Sequence, residues 1–212
     1  MSGICLVTKH CHLSLLTALL FNTNFVDNFV MGKWFVECFL VFLAYTATYT
    51  FTLGFIYPVQ KIILPDNSLM ASILFLPHGV RAIALFLFGF RAIVYLLPAQ
   101  YAMWYISVHG ADIGLDLFSP LVSVLGCLIG YLLFLGIRKG IPSDIYDKGW
   151  VLVMIIITLT AFFNGIGLSR LHSPTGDFEY LFAYFWGDVL GGFIFLILAM
   201  YIWRILKNTK FN

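Results

Sequence analysis

The sequence has few charged residues. Asp, Glu, Lys and Arg make up 10% of its 212 residues, whereas a soluble domain carries about 25%. Hydrophobic residues make up 61%, and the mean hydropathy is +0.96. At about 20 residues a span, the length is enough for about six transmembrane helices and leaves no room for a soluble domain of about 100 residues. Enzyme chemistry would therefore have to take place inside the bilayer.

Signatures of several other functional classes are also missing. No run of Lys and Arg indicates a nucleic-acid partner. The sequence contains no HExxH, no CxxC, no Gly-rich phosphate loop and no pattern typical of a nucleophilic triad. Cys5, His10, Cys11 and His12 do not follow the spacing of an established zinc site. We therefore expect no catalytic residue, no metal and no cofactor.

Long apolar runs predict an all-α integral membrane protein, a polytopic bundle of about six transmembrane helices. The stretch from Leu69 to Val108 would be about 60 Å long as one helix, twice the thickness of the hydrocarbon core. It must therefore turn back, most simply at Gly89-Phe90-Arg91. The six predicted spans are Trp34–Ile56, Leu69–Phe90, Ala92–Val108, Ser119–Ile137, Trp150–Leu168 and Tyr180–Trp203.

Three segments follow from these spans. Residues 1–33 form an N-terminal interfacial segment, or lie partly upstream of the true start if translation begins at Met31. Residues 34–206 form the transmembrane domain, and residues 207–212 form a cytoplasmic tail.

The positive charges predict the orientation of the bundle. Six spans place both termini on one side, which carries nine Lys and Arg residues against two on the other side. This bias predicts cytoplasmic termini in a bacterial inner membrane. The nine are Lys9, Lys33, Arg91, Arg138, Lys139, Lys148, Arg204, Lys207 and Lys210, and the two are Lys61 and Arg170.

Two charged residues lie deep inside apolar runs, where an ionisable group costs about 3 kcal/mol. Arg81 lies about 18 Å into a helix that begins at Leu69, and Asp188 lies about 12 Å into the last span. The two depths differ by less than the length of an arginine side chain. We therefore predict a structural ion pair between Arg81 and Asp188.

The run Leu76–Arg81 predicts a break in the second span near Pro77, because proline lacks an N–H and disfavours a helical residue before it. A helix that restarts at this depth would present free N–H groups beside His78 and Arg81, as in many anion sites. We predict a ligand site of His78, Arg81, Asn164 and Asp188. The alternative is a proline kink that neighbouring helices satisfy.

Two pairs of glycines are spaced four residues apart inside predicted spans. Gly126 and Gly130 share one helix face, and Gly187 and Gly191 share another. Such pairs are typical of close helix packing in membranes.

Two motifs resemble the first membrane-associated sensor domain family, the integral membrane domains of bacterial diguanylate cyclases and sensor histidine kinases. One is Leu76–Arg91, with a proline–glycine opening and a closing Gly-x-Arg. The other is Trp186–Gly191, a tryptophan followed by Gly-Asp and a second glycine. Members of that family have about eight spans and a cytoplasmic output domain. The resemblance implies a sensory membrane domain that is shortened and stands alone.

Three functions remain open at this point. The first is a sensory or regulatory membrane domain that binds a small ligand or a partner and signals through a separate membrane or cytoplasmic protein. The second is a small solute-binding or transport subunit, and the third is an accessory subunit of a larger membrane complex. All three have the lipid bilayer as a partner, and none involves nucleic acid.

Overall fold

The computed structural model describes residues 30–63, 72–110, 115–146, 148–173 and 178–209. Regular structure in these ranges is helical throughout. A five-residue π-helical stretch covers Thr52–Ile56, and a short 3₁₀ turn covers Arg138–Gly140. The helices are α1 (Val30–Phe51), α2 (Tyr57–Ile63), α3 (Pro77–Phe88), α4 (Arg91–Gly110), α5 (Ser119–Ile137), α6 (Ser143–Tyr146), α7 (Gly149–His172) and α8 (Phe178–Thr209).

Four helical units of the described chain are long and apolar enough to cross a membrane: Gly32–Ile63, Ser119–Gly140, Gly149–His172 and Phe178–Lys207. Their outward faces carry large apolar side chains such as Phe35, Phe39 and Ile197, while Glu37, Arg81 and Asp188 are buried inside. Polar groups inside and apolar groups outside are the arrangement that a lipid solvent requires. The predicted all-α membrane bundle is confirmed.

The predicted hairpin between the second and third spans is also confirmed. α3 ends at Phe88, and α4 begins at Arg91. Gly89 between them has φ +60°, a backbone conformation that a residue with a Cβ rarely adopts. Glycine at this position therefore allows the abrupt reversal.

The second span differs from its prediction in length. Ser72–Leu76 is not helical, and α3 begins at Pro77, so the break is confirmed and the helical start at Leu69 is wrong over Ser72–Leu76. Part of the reason is a tertiary hydrogen bond, because the amide of Phe75 donates to the carbonyl oxygen of Gly187 at 2.9 Å. Residues 69–71 and 1–29, and with them most of the predicted interfacial segment, lie outside the described residues.

α3 is the central helix of the described bundle. It packs against α1, α4, α7 and α8, and eight of its twelve residues are buried. At 1.5 Å per residue it is about 18 Å long, well short of the hydrocarbon thickness. The polar residues of this short helix therefore face other helices and not lipid.

The glycines of α8 allow the non-helical segment to lie directly on that helix. A Cβ at Gly187 would be 2.2 Å from the carbonyl oxygen of Ser72, and one at Gly191 would be 2.2 Å from the backbone of Phe75. Only glycine permits so close an approach of two backbones. The structure thus places Gly187 and Gly191 against the segment that leads into α3.

Candidate ligand-binding site

His78 of α3, Asn164 of α7 and Asp188 of α8 meet in the centre of the bundle. The Nδ1 atom of His78 lies 3.3 Å from Oδ2 of Asp188, and the amide nitrogen of Asn164 donates to the same carboxylate oxygen. All three side chains are buried. The cluster therefore ties the three helices together through one carboxylate.

The contacts of Nε2, the other ring nitrogen of His78, indicate which nitrogen carries the hydrogen. Nε2 is 3.2 Å from the carbonyl oxygen of Ile157 and 3.0 Å from the hydroxyl of Thr160. A carbonyl only accepts, and the Thr160 hydroxyl donates to the carbonyl of Ile156 at 2.6 Å. The contact with the Ile157 carbonyl therefore favours the tautomer in which Nε2 carries a hydrogen and donates it to α7.

Because Nε2 is the donor, Nδ1 of a neutral His78 would turn a lone pair toward Asp188. Two lone pairs facing each other at 3.3 Å repel, so the contact is favourable only with a proton between Nδ1 and Oδ2. The pair is then neutral as a whole, either as imidazolium with carboxylate or as imidazole with carboxylic acid.

Arg81 does not form the predicted ion pair with Asp188. Its Nη2 donates to the hydroxyl of Tyr45 at 2.8 Å. The Cζ atom of its guanidinium lies 5.5 Å from the centre of the Tyr45 ring and 5.3 Å from the centre of the Phe75 ring. Asp188 contacts His78 in its place. The prediction failed because similar depth along two helices does not determine which side chains face each other.

The predicted free N–H groups at the start of α3 are wrong as well. The amide of His78 donates to the carbonyl of Phe75 at 3.2 Å, and the amide of Gly79 donates to that of Leu76 at 3.0 Å. Pro77 has no N–H. The start of α3 therefore offers a ligand the side chains of His78 and Arg81 and not the amides of His78 and Gly79.

A cavity of about 510 Å³ opens from the cluster. Its inner end is formed by Arg81, Asn164 and Asp188, and it extends to Lys61 and His172 at the end of the bundle where α2 and α7 finish. The volume lies in the range of about 300–1,000 Å³ that is typical of small-molecule sites. The polar and aromatic residues along the rest of the wall are Tyr45, Tyr49, Tyr57, Ser72, Phe75, Gln100, Trp104, Ser119, Ser123 and Tyr184.

Several buried polar atoms at this cavity have no hydrogen-bond partner. They are Nε and Nη1 of Arg81, Nε2 of Gln100, Oγ of Ser123 and Oδ1 of Asn164. A buried unsatisfied polar group costs about 1–3 kcal/mol, and more when it is charged. Side chains that carry this cost around one cavity are typical of a site that receives a ligand.

The glycines of α5 set the position of α7 beside the site. A Cβ at Gly126 would lie 2.8 Å from Cα of Asn164, and one at Gly130 would lie 2.7 Å from Cα of Thr160. Asn164 and Thr160 are the α7 residues whose side chains contact Asp188 and His78. The close packing of α5 against α7 thus fixes where these two side chains stand.

A second buried carboxylate lies near the start of α1. Glu37 accepts a hydrogen bond from the hydroxyl of Tyr95 at 2.7 Å, and Nη1 of Arg91 is 3.6 Å away. The Arg91 guanidinium also lies 4.2 Å from the centre of the Trp34 ring. Both partners of Glu37 come from α4. This cluster joins α1 to the α3–α4 hairpin and does not line the cavity.

Sequence reasoning missed Tyr45, Gln100 and Thr160. Tyrosine, glutamine and threonine are common in membrane helices, so nothing in the sequence separates these three from residues with no role. The π-helical stretch at Thr52–Ile56 was missed too, although such stretches are frequent at functional sites.

No group of three His, Cys, Asp or Glu residues in the described ranges is placed to hold a metal ion. Cys5, His10, Cys11 and His12 lie outside those ranges. Comparison of the chain with family models, with curated proteins and with solved structures finds no match.

Proposed function

We propose that the chain is an integral membrane sensory protein that binds a small molecule in the cavity between its helices and signals through a separate protein. The observation that supports this most directly is the cavity of about 510 Å³, with unpartnered buried polar groups of α3, α4, α5 and α7 around it. The resemblance of Leu76–Arg91 and Trp186–Gly191 to the membrane-associated sensor family points the same way.

The route of the signal would be α8. This helix has 32 residues, so it is about 48 Å long and projects well beyond a hydrocarbon core of about 30 Å. Asp188 is part of the cavity wall, and Arg204 and Lys207 lie near the other end of the helix. A ligand that shifts Asp188 would move that end, where a partner protein can read it.

The orientation belongs to the same proposal. With the termini cytoplasmic in a bacterial inner membrane, the cavity opens away from the cytoplasm, and the end of α8 lies inside the cell. An external or membrane-borne molecule would then be reported to a cytoplasmic partner.

Transport is the second candidate. It is favoured by the non-helical segment Ser72–Leu76, because Ser72 and Phe75 line the cavity and broken helices at membrane depth are typical of transporter sites. A transporter must open the cavity to both sides in turn, whereas a sensor requires access from one side only.

Native mass spectrometry of the protein, extracted gently from its own membrane, tests the binding role. We expect a small molecule on the wild type and its loss in Ser123→Phe. Ser123 lines the cavity with a buried, unpartnered hydroxyl, and a phenylalanine at this position would fill the space that the molecule occupies. Thr158→Phe is the matched control, since Thr158 is exposed on the outer face of α7. A wild type that carries nothing, or a molecule that both variants keep, would contradict the proposal.

A further inference from the structure

In the described residues no carboxylate lies within 4.0 Å of the Arg81 guanidinium, because Asp188 contacts His78 and Glu37 contacts Arg91. Arg81 is 3% exposed. A buried cation in a membrane protein is costly unless an anion or a set of acceptors neutralises it.

The partners that Arg81 does have are insufficient. Guanidinium carries five N–H groups, one on Nε and two on each Nη. The Tyr45 hydroxyl accepts from Nη2, while Nε and Nη1 have no acceptor. The rings of Tyr45 and Phe75 contribute attraction to the charge but accept no strong hydrogen bond. The three N–H groups of Nε and Nη1 therefore have no acceptor at the wall of the cavity.

The His78–Asp188 pair does not supply the missing negative charge. With one proton between the imidazole and the carboxylate, that pair is neutral, and Asn164 already donates to the same oxygen. The inner end of the cavity thus carries a net charge of about +1, the charge of Arg81.

The rest of the cavity wall is complementary to an anion. Gln100 presents an amide nitrogen without an acceptor, and its side chain is buried. Lys61, at the outer end, adds a second positive charge that would attract an anion toward the opening. Asp188 is the one carboxylate among the described lining residues, and its charge is taken up by His78.

We infer that the cavity binds an organic anion whose carboxylate or phosphate accepts hydrogen bonds from Arg81 and Gln100 while its apolar part contacts the aromatic wall. Tyr49, Phe75 and Trp104 supply that wall. This inference rests on the proposed binding role and adds the ligand's chemical class. The acidic group can come from a soluble metabolite or from a lipid headgroup, and the two sources are separated by experiment.

The test measures the unfolding temperature of the purified full chain by tryptophan fluorescence in phosphatidylcholine nanodiscs. The probes are benzoate, inorganic phosphate, and phosphatidylglycerol added to the nanodisc, with benzamide as the neutral counterpart of benzoate. At about 100 times its Kd, a bound probe raises the unfolding temperature of a chain of this size by about 5–10 °C. We expect a saturable rise with at least one anion and none with benzamide.

Variants connect that rise to the site. Arg81→Gln should abolish it, and Arg170→Gln, which removes an exposed charge outside the cavity, should leave it unchanged. Gln100→Leu covers the case in which Arg81→Gln does not fold. Since the Gln100 amide nitrogen has no partner to lose, this variant should fold and raise the Kd of the probe about tenfold.

The outcomes separate the possible results. A rise with benzoate or phosphate supports the inference with a soluble ligand, and a rise with phosphatidylglycerol alone supports it with a lipid headgroup. The inference is overturned if none of the three anions raises the unfolding temperature, if benzamide acts like benzoate, or if Gln100→Leu binds the probe as tightly as the wild type. A neutral molecule found by native mass spectrometry, with no anion effect, would leave the binding role intact and refute the anionic ligand.

Discussion

At the scale of single residues, the three ionisable side chains at the centre of the bundle differ in their partners. Nδ1 of His78 lies 3.3 Å from the carboxylate of Asp188, while Arg81, on the same helix as His78, donates to Tyr45. Two charged residues at similar depth therefore belong to different interactions. A comparison of paired variants can tell these interactions apart.

We expect strong energetic coupling between His78 and Asp188 and weaker coupling between Arg81 and Asp188. The variants are His78→Gln, Arg81→Gln, Asp188→Asn and the two doubles, and the measurement is the free energy of unfolding in detergent. Residues in contact typically couple by about 0.5–3 kcal/mol. Additive losses for His78→Gln and Asp188→Asn would contradict the contact, and a larger coupling for Arg81 with Asp188 would restore the original ion-pair hypothesis.

The buried Glu37 gives a second prediction at this scale. Tyr95→Phe removes the hydroxyl that donates to Glu37 at 2.7 Å and leaves Arg91 as the remaining partner at 3.6 Å. We expect a loss of about 1–3 kcal/mol in unfolding free energy. Tyr101→Phe is the matched control, because the Tyr101 ring packs edge-to-face against the Trp104 ring, a contact that does not depend on the hydroxyl. Equal losses in the two variants would show that the Glu37 contact contributes nothing.

Sequence alone identified the costly residues but not their partners. His78, Arg81 and Asp188 stand out because each is ionisable within an apolar run. Tyr45 and Gln100 complete their surroundings, yet neither carries a charge that would distinguish it in a span. The pairing of Asp188 was wrong because depth along a helix axis does not determine which side chains face each other.

At the scale of helices, glycines at a few positions allow neighbouring helices to pack very closely. α5 approaches α7 so closely that a Cβ at Gly126 would lie 2.8 Å from the α7 backbone. That backbone belongs to Asn164, so the distance between α5 and α7 determines where the Asn164 side chain lies in the site.

We therefore expect Gly126→Ala to lower both stability and ligand binding. The new methyl group must push α7 away and draw Asn164 from Asp188, a change that costs about 1–3 kcal/mol as overpacking. Gly136→Ala is the control on the same helix, because a Cβ there meets nothing within 4 Å. It should be neutral or slightly stabilising, since alanine favours a helix over glycine. Thermal unfolding and binding of the probe anion check both variants.

The sequence predicted the helices better than their ends. Apolar length and flanking charge define a span well, and the turn at Gly89 follows from simple length. The start of α3 could not be predicted in the same way, because Ser72–Leu76 is held by contacts with Gly187 and Gly191, more than a hundred residues away along the chain.

At the scale of the whole molecule, the bias of positive charge predicts that Lys61 and Arg138 lie on opposite sides of the membrane. Both side chains are exposed. In a chain whose native cysteines are replaced by serine, Lys61→Cys should react with a membrane-impermeant maleimide added to intact cells, and Arg138→Cys should react only after the cells are opened. The reverse pattern would invert the proposed orientation and place the cavity opening in the cytoplasm.

The central position of α3 has a consequence for how the protein is made. The groups that contact His78 are Ile157, Thr160 and Asp188, which follow it by 79, 82 and 110 residues. When the α3–α4 hairpin leaves the ribosome, none of these partners has been synthesised, and α3 is a short apolar helix that carries His78 and Arg81. We therefore expect the hairpin to reach its final position only after α7 and α8 have been made. Among the described helices α8 is made after α3, and it would then complete the insertion of α3.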